Sequence, residues 1–333
     1  MLSPRPRPTE DELIARYFAP LAGEGGLALK DDAALLKPLA GHELVLTVDA
    51  LVAGVHFFPD DPPEAIAVKA LGVNVSDLAA KGASPAGYLL ALALPDDWSE
   101  AWLAAFTAGL GKAAQAFACP LLGGDTVRAG GALSLSITAV GQVPAGRMVR
   151  RTTAQAGDRI CVTGTIGDAT LGLALRQSTD APPWASSLTG EEQNDLLDRY
   201  LRPRPRLALA PVLREYAHAA MDVSDGLAGD LAKMMRASGA SAVVDMQRVP
   251  LSPAARAALA GDSRLMDRLV TGGDDYEILC TLPETRITAF LRTSAAAGVP
   301  ATVIGTVVEG GGLPVFRSEG RERRFESGSF SHF

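Results

Sequence analysis

Short apolar runs alternate along this chain with longer stretches in which apolar residues recur every three or four positions, predicting strands and helices in turn. Leu44-Val-Leu-Thr-Val48 is an apolar, β-branched run expected as a buried strand; it ends on Asp49, and His56 follows in an apolar setting. Gly87–Leu94, Ala132–Val143 and Arg159–Thr163 read as further strands. Helical spacing covers Leu13–Phe18, Pro62–Ala83 and Ser99–Phe117, with a later helix running from Asp230 to Ala237. Thr9-Glu-Asp-Glu12 is a capping box that starts the first helix, and the prolines of Leu201-Arg-Pro-Arg-Pro-Arg206 stop another. Pro120–Val127 is expected as a short strand closed by a glycine turn that presents Asp125, and the polar, proline-containing Gln177–Gly190 as a mobile loop.

The polar residues that interrupt this pattern are mostly aspartates at the edges of apolar or glycine-rich segments. They are Asp31-Asp32 after the Gly23–Lys30 loop, Asp49, Asp77, Asp125, Asp222, Asp225 and Asp274-Asp275. Neighbouring residues on a strand face opposite ways, so at most one of Asp31 and Asp32 is expected to reach a shared site. Asp77 shares a helix face with Ala70, Val73 and Ala80, and a carboxylate on a packed face is costly unless something pairs with it. Asn74-Val-Ser-Asp77 before Gly123-Gly-Asp125 is echoed by Asp222-Val-Ser-Asp225 before Gly272-Gly-Asp274. The echo is either chance or the trace of two halves contributing like elements to one acidic cleft.

With 333 residues the chain is expected to form two domains, since one domain takes roughly 100–200. The texture changes at Gly146-Arg-Met-Val-Arg-Arg151, a basic cluster in an acidic chain. We therefore read residues 1–9 as a disordered Pro/Arg-rich tail, 10–147 as the N-terminal domain and 148–333 as the C-terminal domain. Arg147, Arg150 and Arg151 are either a solvated surface or include a bidentate phosphate holder. Hydrophobic and charged contents of 47% and 21% describe an ordinary globular protein, and the net charge of −7 argues against nucleic acid or an anionic membrane as partner. Cys119, Cys161 and Cys280 lack metal-ligand spacing and read as buried free thiols in a reducing compartment. No apolar run is long enough to span a membrane, so the chain is expected in the cytoplasm.

Two unit charges ~4 Å apart repel by about 4 kcal/mol at an effective dielectric of 20, so several aspartates in one cleft demand cations. Oxygen-only ligands without a Cys/His set point to Mg²⁺, which bridges to substrate phosphates and so to phosphoryl transfer. The P-loop signature is absent, as are the H-R-D and D-F-G signatures of protein kinases.

The motifs also carry a resemblance. Asp31-Asp-Ala-Ala-Leu-Leu36, Val48–Phe57, Lys69–Ala83, Gly123-Gly-Asp-Thr126, Asp222-Val-Ser-Asp-Gly-Leu227, Gly272-Gly-Asp-Asp-Tyr-Glu277 and the terminal His-Phe together resemble the thiamine-monophosphate kinase family, in order over nearly the whole chain. The resemblance implies the ATP-binding fold of aminoimidazole ribonucleotide synthetase and selenophosphate synthetase. That is an α/β (α+β) chain of two domains: an N-terminal mixed sheet with helices that dimerises, and a C-terminal α/β domain. It implies transfer of a phosphoryl group from ATP to thiamine monophosphate by a homodimer. It also implies Mg²⁺ ligands at Asp32, Thr47, Asp49, Asp77, Asp125 and Asp222, with Asp225 on a further ion. Val48 falls in the same ligand loop, where only its backbone serves. Gly124, Asp125, Arg151 and Ser224 resemble ATP contacts, and His56, Asp274 and Phe330 the thiamine-phosphate side. Lys30, Asp274 and Phe330 depart from the residues usual at those positions (Gly, Glu, and Tyr or Trp). The alternative is a relative in the same superfamily with a different acceptor. Selenophosphate synthetase would want a reactive Cys near the N-terminus and a hydrogenase-maturation protein a terminal Cys; neither is present. A nucleotide sensor without turnover would tolerate loss of the aspartates, which are all intact here.

Overall fold

The computed structural model describes residues 8–178, 180–326 and 328. Its contacts divide the chain into two units. The first runs to Val75 and resumes over Pro85–Gln142; the second comprises Ser76–Ser84 and the chain from Val143 onward.

The first unit begins with the expected capping box, in which the Glu12 carboxylate accepts from the Thr9 N–H at 2.9 Å and the Thr9 hydroxyl accepts from the Glu12 N–H. The helix α1 (Glu10–Leu13) passes into a π-turn, Ile14–Phe18, that buries Tyr17 and Phe18. There follow β1 (His42–Val52), α2 (Pro63–Ala80), β2 (Ser84–Leu94), α3 (Glu100–Ala116), β3 (Leu121–Arg128) and β4 (Ser134–Pro144). The strands form one sheet in the order β1-β4-β2-β3, with β2 and β3 parallel. Ser99 caps α3 by accepting the Trp102 N–H at 3.1 Å, and Leu103, Phe106, Leu110 and Ala113 form its buried stripe. β2 buries Leu90, Leu92 and Leu94, the period-two pattern of a strand with one face inward.

Two expectations fail in this unit. The Leu44–Val48 run is a strand but not a buried one: β1 is the sheet edge, and Leu46 and Val48 are 64% and 61% exposed. A run that is apolar on both faces announces that both faces will be covered, but not by what. The glycine turn before Asp125 does not form either, because Gly123, Gly124 and Asp125 lie inside β3. Gly124 pairs with Leu90 across the parallel ladder, and a Cβ there would collide with the Leu90 carbonyl. These glycines allow two strands to approach closely; they do not reverse the chain.

The second unit is built on β5 (Arg159–Thr163), α4 (Asp168–Gln177), α5 (Gly190–Leu201), α6 (Ala210–Tyr216), β6 (Ala219–Val223), α7 (Leu227–Ser238) and β7 (Ala240–Asp245). It continues through α8 (Pro253–Gly261), α9 (Leu265–Thr271), β8 (Glu277–Leu282), α10 (Ile287–Ala296), β9 (Ala301–Glu309), β10 (Val315–Ser318) and β11 (Arg321–Arg323). Its mixed sheet runs β11-β10-β7-β9-β5-β8-β6, antiparallel at every pair except β10 with β7. The alternation of side chains divides its core. On β5, Ile160 and Val162 pack with Leu171, Leu196, Leu231 and Phe316, while Cys161 packs with Cys280, Leu213 and Phe290. Helices therefore cover both faces. All three cysteines are free and buried, as expected.

The Gln177–Gly190 segment is not a free loop among its described residues. Pro183–Ser187 makes a 3₁₀ turn that sinks Trp184 and Ala185 into the core, an anchor that outweighs the polar composition around it. The internal echo is chance. Asn74–Asp77 lies within helix α2, whereas Asp222–Asp225 runs off strand β6 into a turn; Gly123–Asp125 lies inside β3, whereas Gly272–Asp274 follows helix α9. Like sequences in unlike elements are not a repeat.

At the start of β8, Glu277 is fully buried and accepts hydrogen bonds from Arg199 at 2.8 Å, from Arg206 through Nε at 2.7 Å and again through its guanidinium, and from the Thr163 hydroxyl at 2.7 Å. Burial raises the proton affinity of this carboxyl, but the two arginines outweigh it and hold the pKa below its ordinary value.

Candidate active site

In the first unit a 3₁₀ turn, Glu24–Leu29, precedes the paired aspartates, and Leu27, Ala28 and Leu29 within it have φ of 51°, 56° and 53°. Asp31 and Asp32 follow in a bend. Both line a cavity of about 730 Å³ with Gly124, Asp125, Thr126, Ser136 and Thr138, contrary to the expectation that only one would. The alternation rule applies to extended strands, and a bend is not bound by it. Asp125 is carried here from β3, where it pairs with Ala91.

Thr47, Val48 and Asp49 stand on β1, and His56 in the tight turn after it; none of the four lines this cavity. The Asp49 N–H donates to Asn74 Oδ1 at 3.0 Å. The Val52 N–H donates to His56 Nδ1 at 3.0 Å, so a neutral His56 ring carries its proton on Nε2.

A second cavity, of about 450 Å³, belongs to the second unit and is lined by Asp77, Lys81, Arg150, Arg151, Asp222, Ser224, Asp225, Asp230 and Lys233. Asp222 stands one residue before the end of β6 and is buried. Burial first, and the charge of Asp77 second, push its proton affinity well above the ordinary carboxylate range. Lys81 lies one residue beyond α2; its Nζ donates to the Ala220 carbonyl at 2.8 Å, and burial lowers its pKa against the pull of Asp222 and Asp77. The basic cluster divides. Arg150 and Arg151 line the cavity, while Arg147 donates to the Arg214 carbonyl at 2.8 Å.

After β6 the chain turns through Ser224, Asp225 and Gly226. The N–H groups of Ser224 and Asp225 both donate to Asp230 Oδ2, at 3.0 and 2.9 Å, and Lys233 pairs with Asp230 Oδ1 at 2.9 Å and with Asp225. The Asp274 N–H donates to the Ser224 carbonyl at 2.8 Å, and Asp274 adopts a left-handed φ of 71°. The Tyr276 hydroxyl donates to Asp274 Oδ1 at 3.3 Å. Phe330 lies outside the described residues.

The expected site residues thus fall into groups. The first cavity gathers Asp32, Gly124 and Asp125; the second gathers Asp77, Arg151, Asp222, Ser224 and Asp225, with Asp274 hydrogen-bonded to its Ser224 turn. Lys81 and Lys233 escaped sequence reasoning, although Lys81 stands one helical turn after Asp77 and Lys233 one turn after Asp230, spacings that bring side chains together. No group of three or more His, Cys, Asp or Glu side chains among the described residues is arranged as a metal cage. Mg²⁺ does not require one, because it is usually held by one or two carboxylates, waters and substrate phosphates. The oxygens of Asp77, Asp222, Ser224 and Asp225 in the second cavity are donors of the kind Mg²⁺ takes, and Lys81, Arg150, Arg151 and Lys233 line the same cavity.

Two mixed sheets flanked by helices, with carboxylate-lined cavities, define the class. Residues 30–143 match the AIR synthase related protein, N-terminal domain, and residues 155–317 the AIR synthase related protein, C-terminal domain. A thiamine-monophosphate kinase from Caulobacter vibrioides is 42% identical over 93% of this chain and 87% of its own. The crystal structure of thiamine-monophosphate kinase from Stenotrophomonas maltophilia K279a superimposes with a TM-score of 0.79 at 43% identity, covering 89% of this chain and 91% of that one. AaThiL, complexed with AMPPCP and TMP, superimposes with a TM-score of 0.76 at 31% identity and 91% coverage of both chains. The chain belongs to the thiamine-monophosphate kinase family.

Proposed function

We propose that this protein transfers the γ-phosphoryl group of ATP to the phosphate of thiamine monophosphate, giving thiamine diphosphate and ADP. The observation that carries this reading is identity of 42% to a thiamine-monophosphate kinase over 93% of the chain. The arrangement of the second cavity supports it, with arginine and lysine beside buried carboxylates. An oxygen of the acceptor phosphate forms the new bond to the γ-phosphorus while the bond to the β–γ bridging oxygen breaks and ADP leaves. The acceptor oxygen is already ionised, so no general base is needed, and catalysis reduces to positioning and charge neutralisation. Arg151 neutralises donor phosphate, the Ser224 turn and Gly124 with Asp125 contact the nucleotide, and His56, Asp274 and Phe330 place the thiamine phosphate. Mg²⁺ would supply positive charge to offset that of the phosphates. The residues that would hold it are Asp32, Thr47, the Val48 backbone, Asp49 and Asp125 in the first unit, and Asp77, Asp222 and Asp225 in the second.

We assign the protein as a homodimer through the first unit, because β1 leaves Leu44, Leu46 and Val48 exposed along a sheet edge. Among the described residues no helix is long and apolar enough to cross a membrane. The three free, buried thiols fit a reducing compartment, and we place the enzyme in the cytoplasm.

The test is purified protein with ATP, Mg²⁺ and thiamine monophosphate, following thiamine diphosphate as its fluorescent oxidation product, beside a parallel reaction with unphosphorylated thiamine. Product from the monophosphate alone, abolished in Asp49→Ala and Asp222→Ala, is expected. No product while ATP still binds would overturn the acceptor and leave a relative with a different one.

A further inference from the structure

We propose that Asp230 is a positioning residue for the nucleotide, its carboxylate fixing the Ser224–Asp225 turn, with Lys233 as its counter-charge. The inference rests on the reading of Ser224 and Asp225 above and deepens it. Asp230 is fully buried in the first turn of α7, yet it does not serve its own helix. A capping side chain takes N–H groups inside the first turn, whereas Asp230 takes those of Ser224 and Asp225, which precede the helix. Two successive N–H groups converging on one oxygen, Oδ2, leave the intervening peptide plane little freedom. The other face of the turn is held as well. The Ser224 carbonyl accepts from Asp274, and Gly226, at φ 114°, stands where a Cβ would meet the Thr271 carbonyl. The turn is therefore clamped on its N–H side by a single side chain.

That side chain has to be a carboxylate. Oδ2 serves the two N–H groups while Oδ1 serves the Lys233 ammonium, so both oxygens accept. An asparagine offers one accepting oxygen and one donating NH₂. Facing the turn with its oxygen, it sets NH₂ against the ammonium; facing the ammonium, it sets NH₂ against two N–H groups. Removing the ammonium resolves the conflict, which gives the hypothesis its test.

Binding of Mg²⁺·AMPPCP would be measured by calorimetry for wild type, Asp230→Asn, Lys233→Met and the double variant, with near-ultraviolet circular dichroism to establish folding. Asp230→Asn is expected to bind at least ~10-fold more weakly, the scale of a lost charge-assisted hydrogen bond, with its thiamine-monophosphate KM little changed. Asp230→Asn/Lys233→Met is expected to return to within a few fold of Lys233→Met, a rescue that general destabilisation would not produce. A folded Asp230→Asn that binds like wild type overturns the proposal, as does a double variant no better than Asp230→Asn. Should Asp230→Asn fail to fold, a double variant that binds much more weakly than Lys233→Met overturns it. Wild type that does not bind Mg²⁺·AMPPCP would instead overturn the functional reading of the turn.

Discussion

Glu277→Gln tests how the second unit holds its sheet together. The carboxylate receives Arg199, Arg206 and Thr163 with no exposure of its own, and Arg199 is buried too. The glutamine is nearly the same size, so packing is preserved, but two guanidiniums lose their counter-charge and the NH₂ group faces donors. Breaking a buried ion pair by removing one partner costs about 3–5 kcal/mol. In a domain of this size each kcal/mol moves the melting temperature by roughly 2–4 °C, so a drop of about 6–20 °C is expected. The pH dependence has a definite sign. The arginines hold the folded pKa of Glu277 below its ordinary value, so its contribution is present above the ordinary carboxylate range and is lost as pH falls through the folded pKa. The gap between wild type and variant should therefore be widest near neutrality and narrow on acidification. Urea denaturation followed by circular dichroism and by tryptophan fluorescence, with Trp184 reporting on this core, measures it. A loss under about 1 kcal/mol at neutral pH, or a gap that does not narrow in acid, would refute the premise that the network is fully ionised.

Two other expectations follow from burial and charge in the same molecule. Asp222 has its folded pKa raised, so its contribution is present at low pH and is lost as pH rises through that value. In EDTA, Asp222→Asn should melt above wild type at pH 8 and show a flatter pH dependence; parallel melting curves from pH 5 to 9 would count against this. On the proposed homodimer, Leu46→Lys with Val48→Lys should shift sedimentation from two chains to one, and an unchanged dimer would place the interface away from β1.

Which elements form was largely legible in the sequence, because period and capping are local. The capping box at Thr9, the Ser99 cap of α3 and the alternating strand β2 follow from residues a few positions apart. The motifs also carried the family, since the spacing of Asp31-Asp32, Gly123-Gly-Asp125 and Asp222–Asp225 can be read without coordinates. Where the reading failed, the missing information was the identity of a neighbour distant in the chain. Gly123-Gly124 has the composition of a turn, and only the Leu90 carbonyl across the ladder makes it a strand. Gln177–Gly190 has the composition of a loop, and only the core that receives Trp184 and Ala185 anchors its Pro183–Ser187 turn.

The sequence by itself determined the element types, the family and the inventory of carboxylates, all set by covalent order and short-range sterics. The tertiary structure alone decided which of those groups meet. It brought Asp31 into the same cavity as Asp32 and set Lys81 beside Asp222. It also turned Asp230, read from the sequence only as part of a helix, back onto the Ser224–Asp225 turn. The physical reason is that charge and hydrogen bonding act over a few ångströms in space, and residues as far apart as Lys81 and Asp222 acquire that proximity only when the chain packs.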